Sequence, residues 1–180
     1  MIIVKPVELK IELPQGVNAE IEGKKVSLSS AGKQNSRLFH AEEIEFEKKD
    51  NAIILRAEKS TKKINAIINT VEAHLRNMIK GLKKEHEYRL GIVYSHFPMN
   101  VSVKGNFVEI SNFAGEKKPR KARIFGTTTV QIKGKEIIVK GIDKEDAGQT
   151  AGGIENAAKV KGGKDKRVFQ DGIYLVSKTE

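Results

Sequence analysis

The chain repeats itself, and that repeat constrains its fold more than any other feature. Ala19, Ile21, Gly23, Val26 and Leu28 recur as Val101, Val103, Gly105, Val108 and Ile110 at a constant offset of 82 residues. By Ile53 and Leu55 against Ile137 and Val139 the offset has grown to 84, a small insertion. In both stretches apolar residues alternate with polar ones, the period of a strand with one face on a core and the other in water. The glycines fall where two such strands must reverse. With 180 residues in total, the chain is long enough for two small cores, each built from one copy of the unit.

The rest of each copy follows the same order. In the first, Val7, Leu9, Ile11 and Leu13 alternate with Glu8, Lys10 and Glu12. Val17, Ala19 and Ile21 lead to a turn at Gly23-Lys24, and Val26 and Leu28 resume. After Gly32 come Ile44 and Phe46, then Asp50-Asn51 as turn chemistry, then Ile53, Ile54 and Leu55. From Lys62 the period changes: Ile64, Ile67, Ile68, Val71, Leu75, Met78, Ile79 and Leu82 keep the i, i+3, i+4, i+7 spacing of an amphipathic helix, which Gly81 is expected to close. In the second copy Tyr88, Leu90, Ile92 and Tyr94 alternate, and Val101, Val103, Val108, Ile110, Val130, Ile132 and residues 137–139 complete the strands. A helix follows, with Asp143 and Asp146 where a cap and a first turn favour acids. The fold class this predicts is α+β: two tandem duplicated domains, residues 1–82 and 83–180. Each is a small, mostly antiparallel sheet with one long helix packed on one face, at residues 62–82 and 143–160.

Charge separates the two copies. Lysine and arginine number 33 against 23 acids, a net charge of +10, and the pI is about 9.7. Residues 1–82 carry 14 bases and 11 acids, net +3, and residues 83–180 carry 19 and 12, net +7. An anionic partner is therefore expected to meet the second copy. The excess gathers at Lys117, Lys118, Arg120, Lys121 and Arg123, read as a loop broken by Pro119, and at Lys159, Lys161, Lys164, Lys166 and Arg167 around Gly162-Gly163.

Several chemistries are argued against. There is no cysteine, which removes disulfides, thiolate metal sites and cysteine nucleophiles and suits an intracellular protein. The first sixteen residues lack the continuous apolar region of a signal peptide, and no apolar run approaches the roughly 18–20 residues that cross a bilayer, so a soluble protein is expected. His40, His74, His86 and His96 are scattered without metal-ligand spacing. No nucleophile elbow, Walker loop or G-x-G-x-x-G is present. Glu42, Glu43, Glu45 and Glu47 read as a solvated strand face, and the Asn100-Val101-Ser102 sequon as chance. No catalytic residue, metal or cofactor is expected.

Among nucleic-acid modules, Lys104-Gly105-Asn106-Phe107-Val108-Glu109-Ile110 faintly resembles the RNP1 strand of an RRM, but Asn106 and Ile110 stand where two stacking aromatics belong. It reads as a hairpin. No pair of glycines forms a GXXG clamp, and 6% aromatic residues with no tryptophan argue against a platform for single-stranded bases. What remains is recognition of folded nucleic acid by shape and backbone phosphate. The second helix fits that, since Ala147, Gly148, Ala151, Gly152, Gly153, Ala157 and Ala158 leave it nearly bare. Three glycines inside a helix cost about 1 kcal/mol each relative to alanine. Either close packing on its own sheet or close approach of a partner to its backbone must compensate.

The run from Gly141 to Ala151, GIDKEDAGQTA, with Phe169-Gln170-Asp171-Gly172-Ile173-Tyr174 downstream, resembles the C-terminal signature of the large-subunit ribosomal protein six family in its archaeal and eukaryotic form. Glu87-Tyr88-Arg89-Leu90 and Val93-Tyr94-Ser95-His96-Phe97-Pro98 are similar to the start of that family's second domain. The resemblance covers essentially the whole chain. One departure is Gly152-Gly153, where larger residues are expected, and it bears on the regularity of the helix.

The resemblance implies two duplicated α+β domains and a structural, non-enzymatic constituent of the large ribosomal subunit, cytoplasmic and ribosome-bound. It implies binding of large-subunit rRNA chiefly through the second domain, near the stalk base, with neighbouring ribosomal proteins and with translational GTPases docking close by. The helix face at Gln149, Gly153 and Asn156 and the segment from Lys159 through Lys161, Gly162, Gly163, Lys164 and Lys166 to Arg167 are the implied RNA contacts, beside the cluster at 117–123. Two rivals are an enzyme on an anionic substrate, which needs a convergent acid, base or nucleophile that the chain lacks, and a free-standing nucleic-acid chaperone.

Overall fold

The computed structural model describes residues 6–95, 97–160 and 170–178. The chain divides into two compact units, residues 1–84 and 85–180.

In the first unit, β1 (Val7–Glu12) and β5 (Glu45–Lys49) flank β6 (Ala52–Ala57), and β3 (Lys25–Ser30) lies between β2 (Asn18–Glu22) and β4 (Lys33–Leu38). All of these pairings are antiparallel. Val26, Leu28, Ile53 and Leu55 are fully buried where the pattern placed them inward. The two-residue turn between β2 and β3 has Gly23 at φ +61°, a left-handed conformation that glycine adopts without steric cost. β4 was invisible to the apolar pattern because its sequence, KQNSRL, carries no alternation. It forms because β3 offers it a free edge, with Leu28 opposite Asn35 and Val26 opposite Arg37.

Helix α1 (Lys62–Lys83) starts where the Thr61 hydroxyl accepts the amide of Ile64 at 3.2 Å, a side-chain N-cap. Its buried stripe is Ile64, Ile68, Val71, Leu75, Met78 and Leu82, packed on β1, β3 and β4. Gly81 does not close the helix: it is buried inside the last turn, which ends at Lys83 with Lys84 as an extended cap. Lys80 and Lys83 in that turn complement the helix dipole.

The second unit repeats this order. β7 (His86–Val93), β8 (Asn100–Lys104), β9 (Phe107–Ser111), β10 (Arg120–Arg123), β11 (Thr129–Lys133) and β12 (Glu136–Gly141) correspond in turn to β1 through β6. The sheet orders β10-β9-β8 and β11-β12-β7 reproduce β4-β3-β2 and β5-β6-β1. Two differences stand out. A short 3-10 turn, Phe113–Gly115, enters between β9 and β10, and β13 (Gly172–Lys178) adds an edge strand beside β7. Each unit thus holds two small antiparallel sheets rather than the single one expected, because β2, β3 and β4 in the first unit, and β8, β9 and β10 in the second, pair only among themselves.

Helix α2 (Lys144–Ala157) is continuous through Gly152 and Gly153 and ends three residues before the expected boundary. The Asp143 carboxylate accepts the amide of Glu145 at 2.7 Å at its start. Ala147, Ala151, Ile154 and Ala158 pack it on β7, β10, β12 and β13, over a core of Leu90, Val108, Ile110, Phe113, Ile137, Val139 and Ile173. No helix among the described residues is long and apolar enough to cross a membrane.

Candidate nucleic-acid interface

The basic cluster at 117–123 is not a loop throughout. Lys117 and Lys118 are exposed in the segment that leads into β10, but Arg120 to Arg123 form the strand itself, paired with β9. Pro119 misled the loop reading because it stands just outside the ladder, where its missing N–H costs nothing. Ala122 opposite Val108 points to the core, so Lys121 and Arg123 take the solvent face.

Arg120 faces the other way, with only 19% of its side chain exposed. Its guanidinium lies 4.1 Å from the centre of the Phe113 ring and binds the Glu116 carboxylate. It also donates to the carbonyl oxygens of Ala157 at 2.9 Å and Lys159 at 2.7 Å. The arginine thus caps the open C-terminal end of α2, where unsatisfied carbonyls carry partial negative charge.

On the solvent face, Glu109 holds Lys104 at 2.6 Å and Lys121 at 3.2 Å. Hydrogen bonds from Lys104 and then Lys121 keep its carboxyl below the usual carboxylate range. Arg123 lies 5.7 Å from the Phe125 ring centre.

Along α2, Gln149 and Asn156 are exposed, with Gly152 and Gly153 between them at the i+3 and i+4 positions that share a face. A Cβ at either glycine would meet nothing within 4 Å, whereas one at Gly148 would touch the Tyr88 hydroxyl at 3.4 Å. The first two positions have open space and the third an ordinary van der Waals contact, so packing on the sheet requires glycine at none of the three. Asn156 accepts the Lys159 ammonium at 2.6 Å. Lys161, Gly162, Gly163, Lys164, Lys166 and Arg167 lie outside the described residues, as does His96.

At the helix start, the turn after β10 is locked to α2. Thr150 Oγ1 accepts the amide of Phe125 at 3.0 Å and donates to the Asp146 carbonyl at 2.8 Å. Gly126, at φ +54°, lies against the Asp146 carboxylate too closely for any Cβ. Burial, then the charges of Asp143 and Glu145, push the Asp146 carboxyl upward.

The two sequence stretches that carry the family resemblance meet in space. Asp171, buried before β13, accepts the backbone amide of Ser95 at 2.7 Å, and Tyr174 donates its hydroxyl to the Gln170 carbonyl at 3.0 Å. These hydrogen bonds tie the signature positions to the chain around the edge strand β13. Among the described residues, no group of three His, Cys, Asp or Glu is placed to hold a metal ion. The arrangement offers hydrogen-bond donors, bare backbone and cations, the means of phosphate recognition.

A family model described as Ribosomal protein L6 matches residues 13–85 and 97–172, one match in each unit. The chain is 40% identical over 178 residues to a large ribosomal subunit protein uL6 of Methanobrevibacter smithii, covering 99% of each chain. It is 42% identical over 176 residues to that of Methanothrix thermoacetophila, covering 98% of this chain and 99% of the relative. With that of Thermoplasma acidophilum it shares 45% identity over 170 residues, 94% of this chain and 95% of the relative.

Proposed function

The chain belongs to the ribosomal protein L6 family, and from that premise we propose that it holds large-subunit rRNA through the second unit, using exposed cations and the bare face of α2. It is a structural constituent of the large ribosomal subunit and not an enzyme. The finer reading places it in the cytoplasm on the assembled ribosome, with rRNA and ribosomal proteins as neighbours, near the stalk base where translational GTPases dock. The first unit, with the smaller charge excess, is then turned toward solvent or incoming factors.

The observation that carries this reading is the pair Gly152 and Gly153. Each costs α2 about 1 kcal/mol relative to alanine, and neither is required by packing inside the unit. A partner whose backbone approaches the helix supplies the missing reason. Gln149 and Asn156 flank the bare patch as neutral donors, and Lys117, Lys118 and Arg123 supply exposed charge elsewhere on the same unit. Contacts of this kind fix position and read little sequence.

The test is filter binding of the full chain to large-subunit and small-subunit rRNA over a range of salt. The reading requires preference for the large-subunit RNA and a linear fall of log K with log salt concentration. Equal affinity for both RNAs would overturn it.

A further inference from the structure

Phe107 opens β9 and is 45% exposed. The antiparallel register sets it directly opposite Lys104 on one side and Arg123 on the other. Residues opposite each other in such a pair share a face, with Cβ atoms about 5 Å apart. The solvent side of the β8-β9-β10 sheet therefore presents an aromatic ring between two cations. A third cation, Lys121, lies on the same face, where Glu109 is already bound by Lys104 and Lys121.

The duplication supplies an internal control. The offset of 82 that matches β8 and β9 to β2 and β3 sets Phe107 against Lys25 and Lys104 against Glu22. Lys25 stands opposite Glu22 and Leu38, as Phe107 stands opposite Lys104 and Arg123. The same backbone row thus reads acid, base, aliphatic in the first unit and cation, aromatic, cation in the second. The fold asks for neither set, because both cores are filled from the opposite face, by Val26 and Leu28 in one and Val108 and Ile110 in the other.

We propose that Phe107 is a stacking site for one unpaired base of large-subunit rRNA, with Lys104 and Arg123 neutralising the phosphates on either side of it. The proposal rests on the rRNA-binding reading above and adds a contact to it. An exposed ring offers its π-face to any base, and flanking cations track the backbone. A single ring takes a single base, which fits a chain too poor in aromatics for an extended platform. Two cations beside the ring favour a polyanion over an apolar protein surface.

The chain contains no tryptophan, so Phe107→Trp introduces a single tryptophan at the site, whose emission can be excited selectively over that of the three tyrosines. Its emission should be quenched on titration with protein-free large-subunit rRNA. Phe107→Leu keeps an apolar side chain without a π-face and should weaken binding about tenfold, while Phe107→Tyr should restore it. Both the quenching and the loss are required. If the wild-type chain binds this RNA and either result is missing, the stacking site is wrong and the rRNA-binding reading stands. Emission untouched by RNA but shifted to the blue by ribosomal proteins of the subunit would overturn it in favour of a protein contact. Failure of the wild-type chain to bind large-subunit rRNA would overturn both.

Discussion

Arg120 donates to the carbonyl oxygen of Ala157 at 2.9 Å, so a residue of β10 closes the C-terminal end of α2. The same guanidinium reaches Lys159 and stacks on Phe113, a planar arrangement that an ammonium cannot reproduce. Arg120→Ala should lower unfolding stability by about 2 kcal/mol in urea titrations, since hydrogen bonds to a charged donor contribute roughly 1.5–3 kcal/mol. Arg120→Lys should recover less than half. The salt slope of rRNA binding should stay at the wild-type value, because this cation is spent inside the protein. A slope smaller by roughly 0.9 would mean instead that Arg120 reaches a phosphate.

Gly152→Ala with Gly153→Ala separates stability from binding. A Cβ at either position has open space, so the double variant should unfold with α2 stabilised by up to about 2 kcal/mol. Its affinity for large-subunit rRNA should fall, because two methyl groups hold the partner away from the backbone. A variant that is more stable and binds as well as wild type would remove the helix face from the interface.

What the sequence made legible divides by physical cause. Wherever burial acts on alternating or helical apolar residues, as at Val26, Leu28, Ile137 and the stripe of α1, the pattern located the element correctly. β4 and β10 escaped because they are polar strands recruited by an existing edge, and an edge is a property of neighbours rather than of the segment. Arg120 and Lys121 were indistinguishable as letters. Only the register, which sends adjacent residues to opposite faces, shows one turned into the protein and the other out. The pairing of Lys104 with Phe107 across Gly105-Asn106 was within reach of the hairpin pattern. Arg123 on the other side was not, since it pairs with Phe107 from sixteen residues away.

Asp146 gives the acid limb of stability a distinct signature. Burial, Asp143 and Glu145 raise its carboxyl above the ordinary value of 3.8, so the folded state holds that proton more tightly than the unfolded chain. Between the raised value and 3.8, falling pH therefore stabilises the protein through this group, against the usual trend for paired carboxylates. Asp146→Asn removes that compensation. The difference in unfolding free energy between pH 7 and pH 4 should be larger in the variant than in wild type, and a smaller difference would show that Asp146 is favourably bound as an anion.

The segment after α2 can be tested without reference to its conformation. Residues 159–167 hold five cations opposed only by Asp165, a density that by itself is as compatible with a solvated stretch as with a phosphate clamp. The two alternatives differ in counterion release. A cation on a phosphate displaces condensed ions and contributes to the salt slope, whereas a solvated one adds a weak, diffuse attraction. Replacing Lys161, Lys164 and Arg167 with alanine should therefore weaken binding to large-subunit rRNA and shrink the slope of log K against log salt by about 2–3 units, taking roughly 0.9 per contact from duplex DNA. Unfolding stability should change by less than about 0.5 kcal/mol, as for surface substitutions away from packed features. A triple variant with the wild-type slope would exclude these three cations from the interface and leave the charge-dependent part of binding to other cations of the unit, among them the exposed Lys104, Lys117, Lys118, Arg123 and Lys159.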